Sequence, residues 1–258
     1  MSEELVHLNV AGGVATVTLD SPANRNALSR ALLAGLEDSL NAAIADERAR
    51  LIVLTGAGPV FCSGADLKER GGAGEPGRSG PGALVTILKK IWDSPKPVIA
   101  HVNGPARAGG LGLIAACDIA VSVDSATFAF SEVRIGVIPA IISVVVLPRL
   151  GAAKTMELFL TGDTFSAAEA AQAGLLNAAV PADHLDESVG RYADSILKGA
   201  PGALQGCKRL VREVPAMSID AAFELTAAWS AEYFASEEAR EGMKAFAEKR
   251  PPRWAGAG

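Results

Sequence analysis

Two short segments rich in glycine and alanine have the composition of turns whose backbone amides could bind a negatively charged oxygen. The first spans residues Phe61 to Lys68 (FCSGADLK), and the second spans residues Asn103 to Gly112 (NGPARAGGLG). Small residues let a ligand approach the main chain closely, and a turn that opens a helix adds the favourable field of the helix N-terminus. Each preorganised N–H group of this kind stabilises an oxyanion by about 3–4 kcal/mol. Taken alone, each segment is equally typical of a structural glycine-rich turn, and the alternative is chemistry in which charge develops on oxygen.

A single glutamate has surroundings suited to proton transfer. Glu132 lies between Phe130 and Val133 in a mostly apolar stretch of sequence. An isolated glutamate is usually a solvated surface charge, but an apolar neighbourhood disfavours the charged carboxylate, and the alternative is a raised pKa suited to proton transfer.

The sequence argues against several other kinds of site. Neither glycine-rich segment matches the GxxxxGK[ST] phosphate loop or the GxGxxG dinucleotide motif. The three histidines are too scattered to indicate a metal site, and a net charge of −5 argues against a nucleic-acid binder. No apolar run approaches the roughly 20 residues of a membrane span.

The elements that would position these residues alternate between strand and helix. The patterns predict strands over Ala15–Leu19, Leu51–Thr55 and Val98–Val102, and helices over Arg30–Asp46 and Ala83–Asp93. Each glycine-rich segment then follows a strand, and the second leads into an apolar helix that ends near Cys117. This alternation predicts an α/β fold with crossover connections.

The last quarter of the chain has a different pattern. After Pro201 the sequence predicts only helices, over Ala203–Val214, Ile219–Ala235 and Glu237–Lys249. We therefore expect an α/β core over residues 1–200 and a helical region over residues 201–258. The stretch Glu69–Gly82, crowded with Gly and Pro, predicts an irregular loop, either a plain solvent loop or a lid over a site.

The cysteines and the N-terminal residues indicate in which cellular compartment the protein is expected. The three cysteines show no CxxC spacing, which favours a reduced cytoplasmic protein over a disulfide scaffold. The first ten residues carry neither a basic segment nor a long apolar run, so we do not expect a secretion signal.

Taken together and in order, the motifs resemble those of the crotonase superfamily of enoyl-CoA hydratases and isomerases. The two glycine-rich segments resemble its oxyanion-hole patterns FxxGADLKE and NGxAxGGGxxLAxxCDI. The likeness extends over essentially the whole chain, through the segments LDSP (19–22), NAL (26–28), PKPVIA (95–100), Glu132 to Pro139, LTGD (160–163), EGM (241–243) and EKR (248–250). In detail the pattern is most similar to that of bacterial hydratases of the methylglutaconyl-CoA type.

The resemblance implies a role for several residues of this chain. The backbone N–H groups of Ala65 and Gly109 would form the oxyanion hole, and Glu132 would be the catalytic carboxylate. The coenzyme A and acyl groups would contact a further set of residues: Arg25, Ala65, Asp66, Leu67, Lys68, Gly109 and Lys249, the last often across a subunit boundary.

The resemblance also implies a fold and an assembly. It predicts a spiral of ββα units with a helical trimerisation region, assembled as a homotrimer or a dimer of trimers. The substrate would be an acyl-CoA thioester, with no metal and no cofactor beyond the coenzyme A of the substrate, and with no nucleic-acid or membrane partner.

One position departs from the hydratase pattern. That pattern has two glutamates, but the first of them is replaced here by Gly112. The leading prediction is still an enoyl-CoA hydratase that adds water across the 2,3 double bond. A single-base enoyl-CoA isomerase and a non-catalytic acyl-CoA-binding relative remain open. Glu69 or Glu75 could supply a second acid.

Overall fold

The computed structural model describes residues 4–69 and 81–255. The strands are β1 (Val6–Ala11), β2 (Val14–Leu19), β3 (Leu51–Gly56), β4 (Val98–Val102), β5 (Ala106–Arg107), β6 (Ile119–Val123), β7 (Thr127–Ala129), β8 (Phe165–Ser166) and β9 (Ala178–Val180). The helices are α1 (Arg30–Ala45), α2 (Pro81–Trp92), α3 (Gly109–Ala116), α4 (Ala140–Thr161), α5 (Ala167–Gln172), α6 (Leu185–Leu197), α7 (Pro201–Glu213), α8 (Ile219–Ala235) and α9 (Glu237–Ala247).

The main sheet has six strands in the order β1-β2-β3-β4-β6-β9. Strands β1 and β2 form an antiparallel hairpin, and every later pair in this sheet is parallel. A smaller sheet has the order β5-β7-β8. Because the carboxyl ends of parallel strands meet at one edge of a sheet, the segments that follow β3 and β4 lie side by side there.

The apolar residues that predicted strands and helices form the core. Strand β3 begins with four consecutive buried residues, as expected for a strand covered on both faces. Helix α1 buries Leu32, Leu33, Leu36 and Leu40, and the side chain of Ser29 caps it by accepting a hydrogen bond from the Leu32 N–H. The α/β prediction is therefore confirmed, with helix and strand bounds shifted by a residue or two.

Helix α2 begins earlier than its sequence pattern predicts. We expected the irregular segment to extend to Gly82, but the helix starts at Pro81, where the fixed φ of proline suits a first helical position. The rest of the predicted loop or lid, residues 70–80 with Glu75, lies outside the described residues.

A carboxylate between the two regions connects the helical end to the sheet. Asp118 forms ion pairs of 2.7 Å with both Lys208 and Arg212 of α7, and its Oδ2 accepts a hydrogen bond from the Val98 N–H at 2.7 Å. Burial lowers the pKa of both cations. We call these three charged residues the Asp118 cluster.

The C-terminal region is helical, as predicted, and much of its apolar surface is uncovered. Helix α8 has no buried residue among its 17, all of which are described. Whether residues 1–200 and 201–258 are separate domains stays a prediction. In the described part of the chain, no helix has both the length and the apolar character needed to cross a membrane.

Candidate functional site

The two glycine-rich segments pack directly against each other beyond the ends of β3 and β4. The Arg107 N–H donates a hydrogen bond to the carbonyl oxygen of Cys62 at 3.0 Å, and the Phe61 N–H donates to that of Pro105 at 3.1 Å. Cys62 and Ala106 also form a parallel β-bridge. The sequence predicted that each segment follows a strand, and the structure joins the two segments by hydrogen bonds.

The turn before Gly109 has a strained backbone. Ala108 has φ 48° and ψ −117°, a conformation that non-glycine residues rarely adopt. Such strain costs on the order of 1–3 kcal/mol and persists only where the surroundings impose it. Here the Ala108 N–H donates to the carbonyl oxygen of Ala129 at 3.1 Å. Gly109 follows as the first residue of α3, where an N–H group has no acceptor within the helix.

Close contact between Gly64 and Gly109 brings the two expected oxyanion donors near each other. A β-carbon at Gly64, where φ is +85°, would lie 2.8 Å from the carbonyl oxygen of Arg107 and 3.4 Å from the nitrogen of Gly109. Only glycine fits there, and the next residue is Ala65. Within residues 4–69 and 81–255, neither the Ala65 N–H nor the Gly109 N–H donates a hydrogen bond to another protein group. Two neighbouring unpaired amides, one at a helix N-terminus, are suited to binding an oxyanion.

The side chain of a buried asparagine holds the first glycine-rich segment in place through hydrogen bonds. Asn26 is completely buried, and its side-chain amide donates to the carbonyl oxygens of Ala57 at 3.0 Å and Val60 at 2.8 Å. The adjacent carbonyl oxygen of Arg25 accepts from the Ser63 N–H at 3.1 Å. In the sequence, Asn26 stands out only as part of the segment NAL (26–28). Asn26 has a left-handed φ of 51°, which asparagine tolerates better than most residues, but its burial and its two acceptors depend on segments distant in sequence.

The residues after Ala65 are of two kinds: Asp66 is held by hydrogen bonds, and Leu67 and Lys68 have exposed side chains. The Asp66 carboxylate accepts hydrogen bonds from the Asn24 side-chain amide at 2.7 Å and from the Lys68 N–H at 2.9 Å. The bond from Asn24 is the main cause that lowers the pKa of Asp66. The side chains of Leu67 and Lys68 are exposed beside it, where a bound molecule could reach them.

Glu132 is positioned by the pairing of β5 with β7. Arg107 pairs with Ala129 in that sheet, and Glu132 follows three residues later in a short 3-10 helix over Ser131–Ile135. Its Oε2 is buried and has no hydrogen-bond partner in the described part of the chain. Desolvation raises the pKa of Glu132, as its apolar neighbours predicted. This carboxyl group therefore holds a proton to a higher pH than an ordinary glutamate does.

The other acidic candidates differ from Glu132. The Glu69 side chain is exposed, and its Oε2 accepts a hydrogen bond from the Arg30 N–H at 2.8 Å, which places it at the N-terminus of α1. Gly112 is buried beside Ile142 in α4. In the described ranges, no group of three or more His, Cys, Asp or Glu side chains is arranged to hold a metal ion.

The two basic residues expected to contact coenzyme A lie in different parts of the chain. Arg25 is exposed and hydrogen-bonds through its backbone to the first turn. Lys249 is exposed just after α9, with φ 52°. The segment that follows Lys249 is fixed elsewhere, because Arg50, which precedes β3, donates to the carbonyl oxygen of Trp254 at 2.8 Å.

Comparisons with known proteins identify the family to which the chain belongs. The model of the family described as enoyl-CoA hydratase/isomerase matches residues 9–257. The enoyl-CoA hydratase EchA19 of Mycobacterium tuberculosis is 36% identical over 94% of this chain and 93% of that protein. The carnitinyl-CoA dehydratase of Proteus mirabilis is 35% identical over 99% of this chain and 100% of its own.

Solved structures show the same fold. The crystal structure of an enoyl-CoA hydratase of Mycobacterium smegmatis superimposes with a TM-score of 0.88 at 32% identity, over 98% of this chain and 99% of that one. The family model, the relatives and the shared fold all cover nearly the whole chain. The chain therefore belongs to the enoyl-CoA hydratase/isomerase family of the crotonase superfamily.

Proposed function

We propose that this protein is an enoyl-CoA hydratase that adds water across the 2,3 double bond of an enoyl-CoA thioester. The observation that carries the proposal is a pair of neighbouring amides, Ala65 and Gly109, together with the buried carboxyl oxygen of Glu132, none of which has a hydrogen-bond partner among the described residues. The amides suit an oxygen that becomes negative, and the carboxyl group suits a proton in transit.

The proposed reaction uses these groups in one sequence. The Glu132 carboxylate accepts a proton from water while the water oxygen bonds to C3 of the substrate. The electrons of the double bond move to the thioester oxygen, which the N–H groups of Ala65 and Gly109 stabilise as an enolate. A proton then bonds to C2 and the thioester carbonyl re-forms, while Glu132 gives up its proton and returns to the carboxylate, so that the net change is addition of one water molecule.

The names of the relatives support water as a reactant. They include an enoyl-CoA hydratase and a carnitinyl-CoA dehydratase, and hydration and dehydration are the two directions of one exchange. At 35–36% identity the family is clear, and the acyl group remains open.

Binding of coenzyme A is the second part of the proposal. Arg25 would meet the nucleotide, and Asp66, Leu67 and Lys68 would border the bound thioester. Lys249 would reach a coenzyme A phosphate from a neighbouring subunit of a homotrimer or a dimer of trimers, as the family resemblance implies.

The direct test measures the loss of enoyl absorbance when the protein is incubated with crotonyl-CoA and with a branched 2-enoyl-CoA. We expect hydration of at least one of them. If coenzyme A esters bind and every enoyl thioester stays unchanged, the protein is a binding relative and the proposal is wrong.

An enoyl-CoA isomerase is the second candidate, favoured by Gly112. One base can move a proton between two carbons, and so an isomerase needs no second carboxylate. Conversion of a 3-enoyl-CoA without hydration of any 2-enoyl-CoA would favour the isomerase over the hydratase.

A further inference from the structure

The face of helix α3 that begins at the oxyanion donor is covered by aliphatic side chains. A β-carbon at Gly109 would lie 2.9 Å from Leu28 and 3.5 Å from Leu84, and one at Gly112 would lie 2.4 Å from Ile142 and 3.7 Å from Leu88. Gly109 and Gly112 share this face because residues three apart in a helix lie one above the other. We call Leu28, Leu84, Leu88 and Ile142 the aliphatic wall.

Ile142 prevents any side chain at position 112. The contact of 2.4 Å is to its Cγ2, and a second contact of 3.0 Å is to its own Cβ, so rotation of the side chain cannot relieve both. Ile142 is 2% exposed in the first turn of α4, and packed cores tolerate little added volume. The missing carboxylate is thus excluded by packing, and restoring it would require a change at Ile142 as well.

The aliphatic wall lies near the place where C3 of the bound substrate is expected. Residue 112 lies about 4.5 Å along the helix axis from residue 109, at 1.5 Å per residue. If the thioester oxygen binds the Gly109 N–H, then C3, two bonds from the thioester carbon, lies near this part of the helix. A substituent on C3 would then contact hydrocarbon where a second carboxylate would otherwise stand.

We propose that Ile142 is a specificity-determining residue that fills the space beside Gly112, leaves Glu132 as the one acid–base group, and selects an apolar substituent at C3. This inference rests on the proposed hydratase function. Glu132 then performs both proton steps: it takes a proton from water as the C–O bond forms at C3, and returns that proton to C2, which regenerates the carboxylate.

The packing is tested by a set of paired variants assayed for kcat/KM and Tm. We expect Gly112→Ala to lower kcat/KM at least tenfold, and Gly112→Ala with Ile142→Ala to recover to within threefold of Ile142→Ala alone. Gly112→Ala with Ile142→Val is the matched control, because valine keeps Cβ and a methyl at the position of Cγ2 and should not rescue. Full activity of Gly112→Ala, or equal rescue by valine, would overturn the proposal.

The specificity is tested by the ratio of kcat/KM for a 3-methyl-2-enoyl-CoA to that for crotonyl-CoA. Ile142→Ala should change this ratio at least threefold. Val146→Ala, which removes two buried methyl groups one turn further along the same helix, should lower Tm and leave the ratio unchanged. If Ile142→Ala leaves the ratio as unchanged as Val146→Ala does, Ile142 acts only in core packing and the specificity proposal is wrong.

If the wild-type protein hydrates no enoyl-CoA, the hydratase proposal fails. The effect of the paired variants on Tm then still tests the packing of Ile142 against position 112.

Discussion

Burial of the Glu132 carboxyl group affects both its acidity and its contribution to stability. Its Oε2 is buried without a hydrogen-bond partner among the described residues, and desolvation raises its pKa. An acid with a raised pKa in the folded state stabilises the fold only at low pH. That contribution is lost as the pH rises from the unfolded pKa through the folded pKa. A residue held at such a cost to stability is typical of a functional site.

Glu132→Gln separates these two effects. Glutamine is nearly isosteric but cannot accept the proton, so we expect turnover to fall by about 10²–10⁴-fold while thioester binding is kept. Near neutral pH the variant should have an equal or higher Tm than the wild-type protein, because the poorly solvated charge is gone. Steady-state assays, ligand titration and thermal unfolding measure these outcomes. Full activity in the variant would remove Glu132 from the mechanism.

The pH dependence of kcat/KM reports the same group. Hydration needs Glu132 ionised, so the rate should fall as the pH drops through its pKa, at a higher pH than for an ordinary glutamate. We expect one acidic limb of unit slope from this carboxylate. A limb with a slope of two would indicate a second essential carboxylate and contradict the one-acid mechanism.

At the scale of elements, the first glycine-rich segment depends on contacts with segments far away in sequence. Glu69 comes directly after this segment, and its carboxylate lies at the N-terminus of α1, where it accepts a hydrogen bond from the Arg30 N–H. An acidic group there is stabilised by the helix dipole and by an otherwise unpaired amide.

Substitution of Glu69 distinguishes a cap from a catalytic acid. Glu69→Ala should lower the free energy of unfolding by about 1 kcal/mol through loss of the cap. Glu69→Gln, which can still accept from the Arg30 N–H, should lose less stability and keep kcat within about threefold of wild type. A large fall in kcat for Glu69→Gln with normal Tm would identify Glu69 as the second acid.

Local patterns predicted the elements that carry the site, and long-range packing explains what they missed. Strands β2, β3 and β4 and helix α1 follow from apolar runs and helical spacing. Helix α4 does not, because Val-rich residues, Pro148 and the kink at Gly151 (φ 68°) obscure its helical pattern.

The same limit applies within the site. The motifs identified Ala65, Gly109 and Glu132 as residues to examine, and their roles stay predictions. The strained φ of Ala108 and the contact between Gly112 and Ile142 depend on segments distant in sequence, so no local signal could reveal them.

At the scale of the whole molecule, exposed apolar residues concentrate on α4 and on the helical C-terminal region. Exposed large apolar side chains there include Val144, Leu160, Phe223, Phe234 and Phe246. Surface of this kind in one chain is typical of protein–protein interfaces. It supports the expectation of a homotrimer or a dimer of trimers.

Sedimentation tests this assembly. We expect a trimer or hexamer at micromolar concentration, and Phe223→Glu should shift the protein to smaller species because a charge would be buried in the interface. Glu224→Gln, at the adjacent exposed position, is the matched control and should leave the mass unchanged. A wild-type monomer would contradict the prediction.

The Asp118 cluster has a consequence for how the chain can be divided. A fragment truncated after residue 200 would lose Lys208 and Arg212, the two cations within 2.7 Å of the Asp118 carboxylate. The same truncation would remove the side chains that shield this carboxylate from solvent, so its cost is the loss of two ion pairs with largely buried cations. Residues 1–200 expressed alone are therefore expected to unfold at a lower temperature than the whole chain in thermal denaturation.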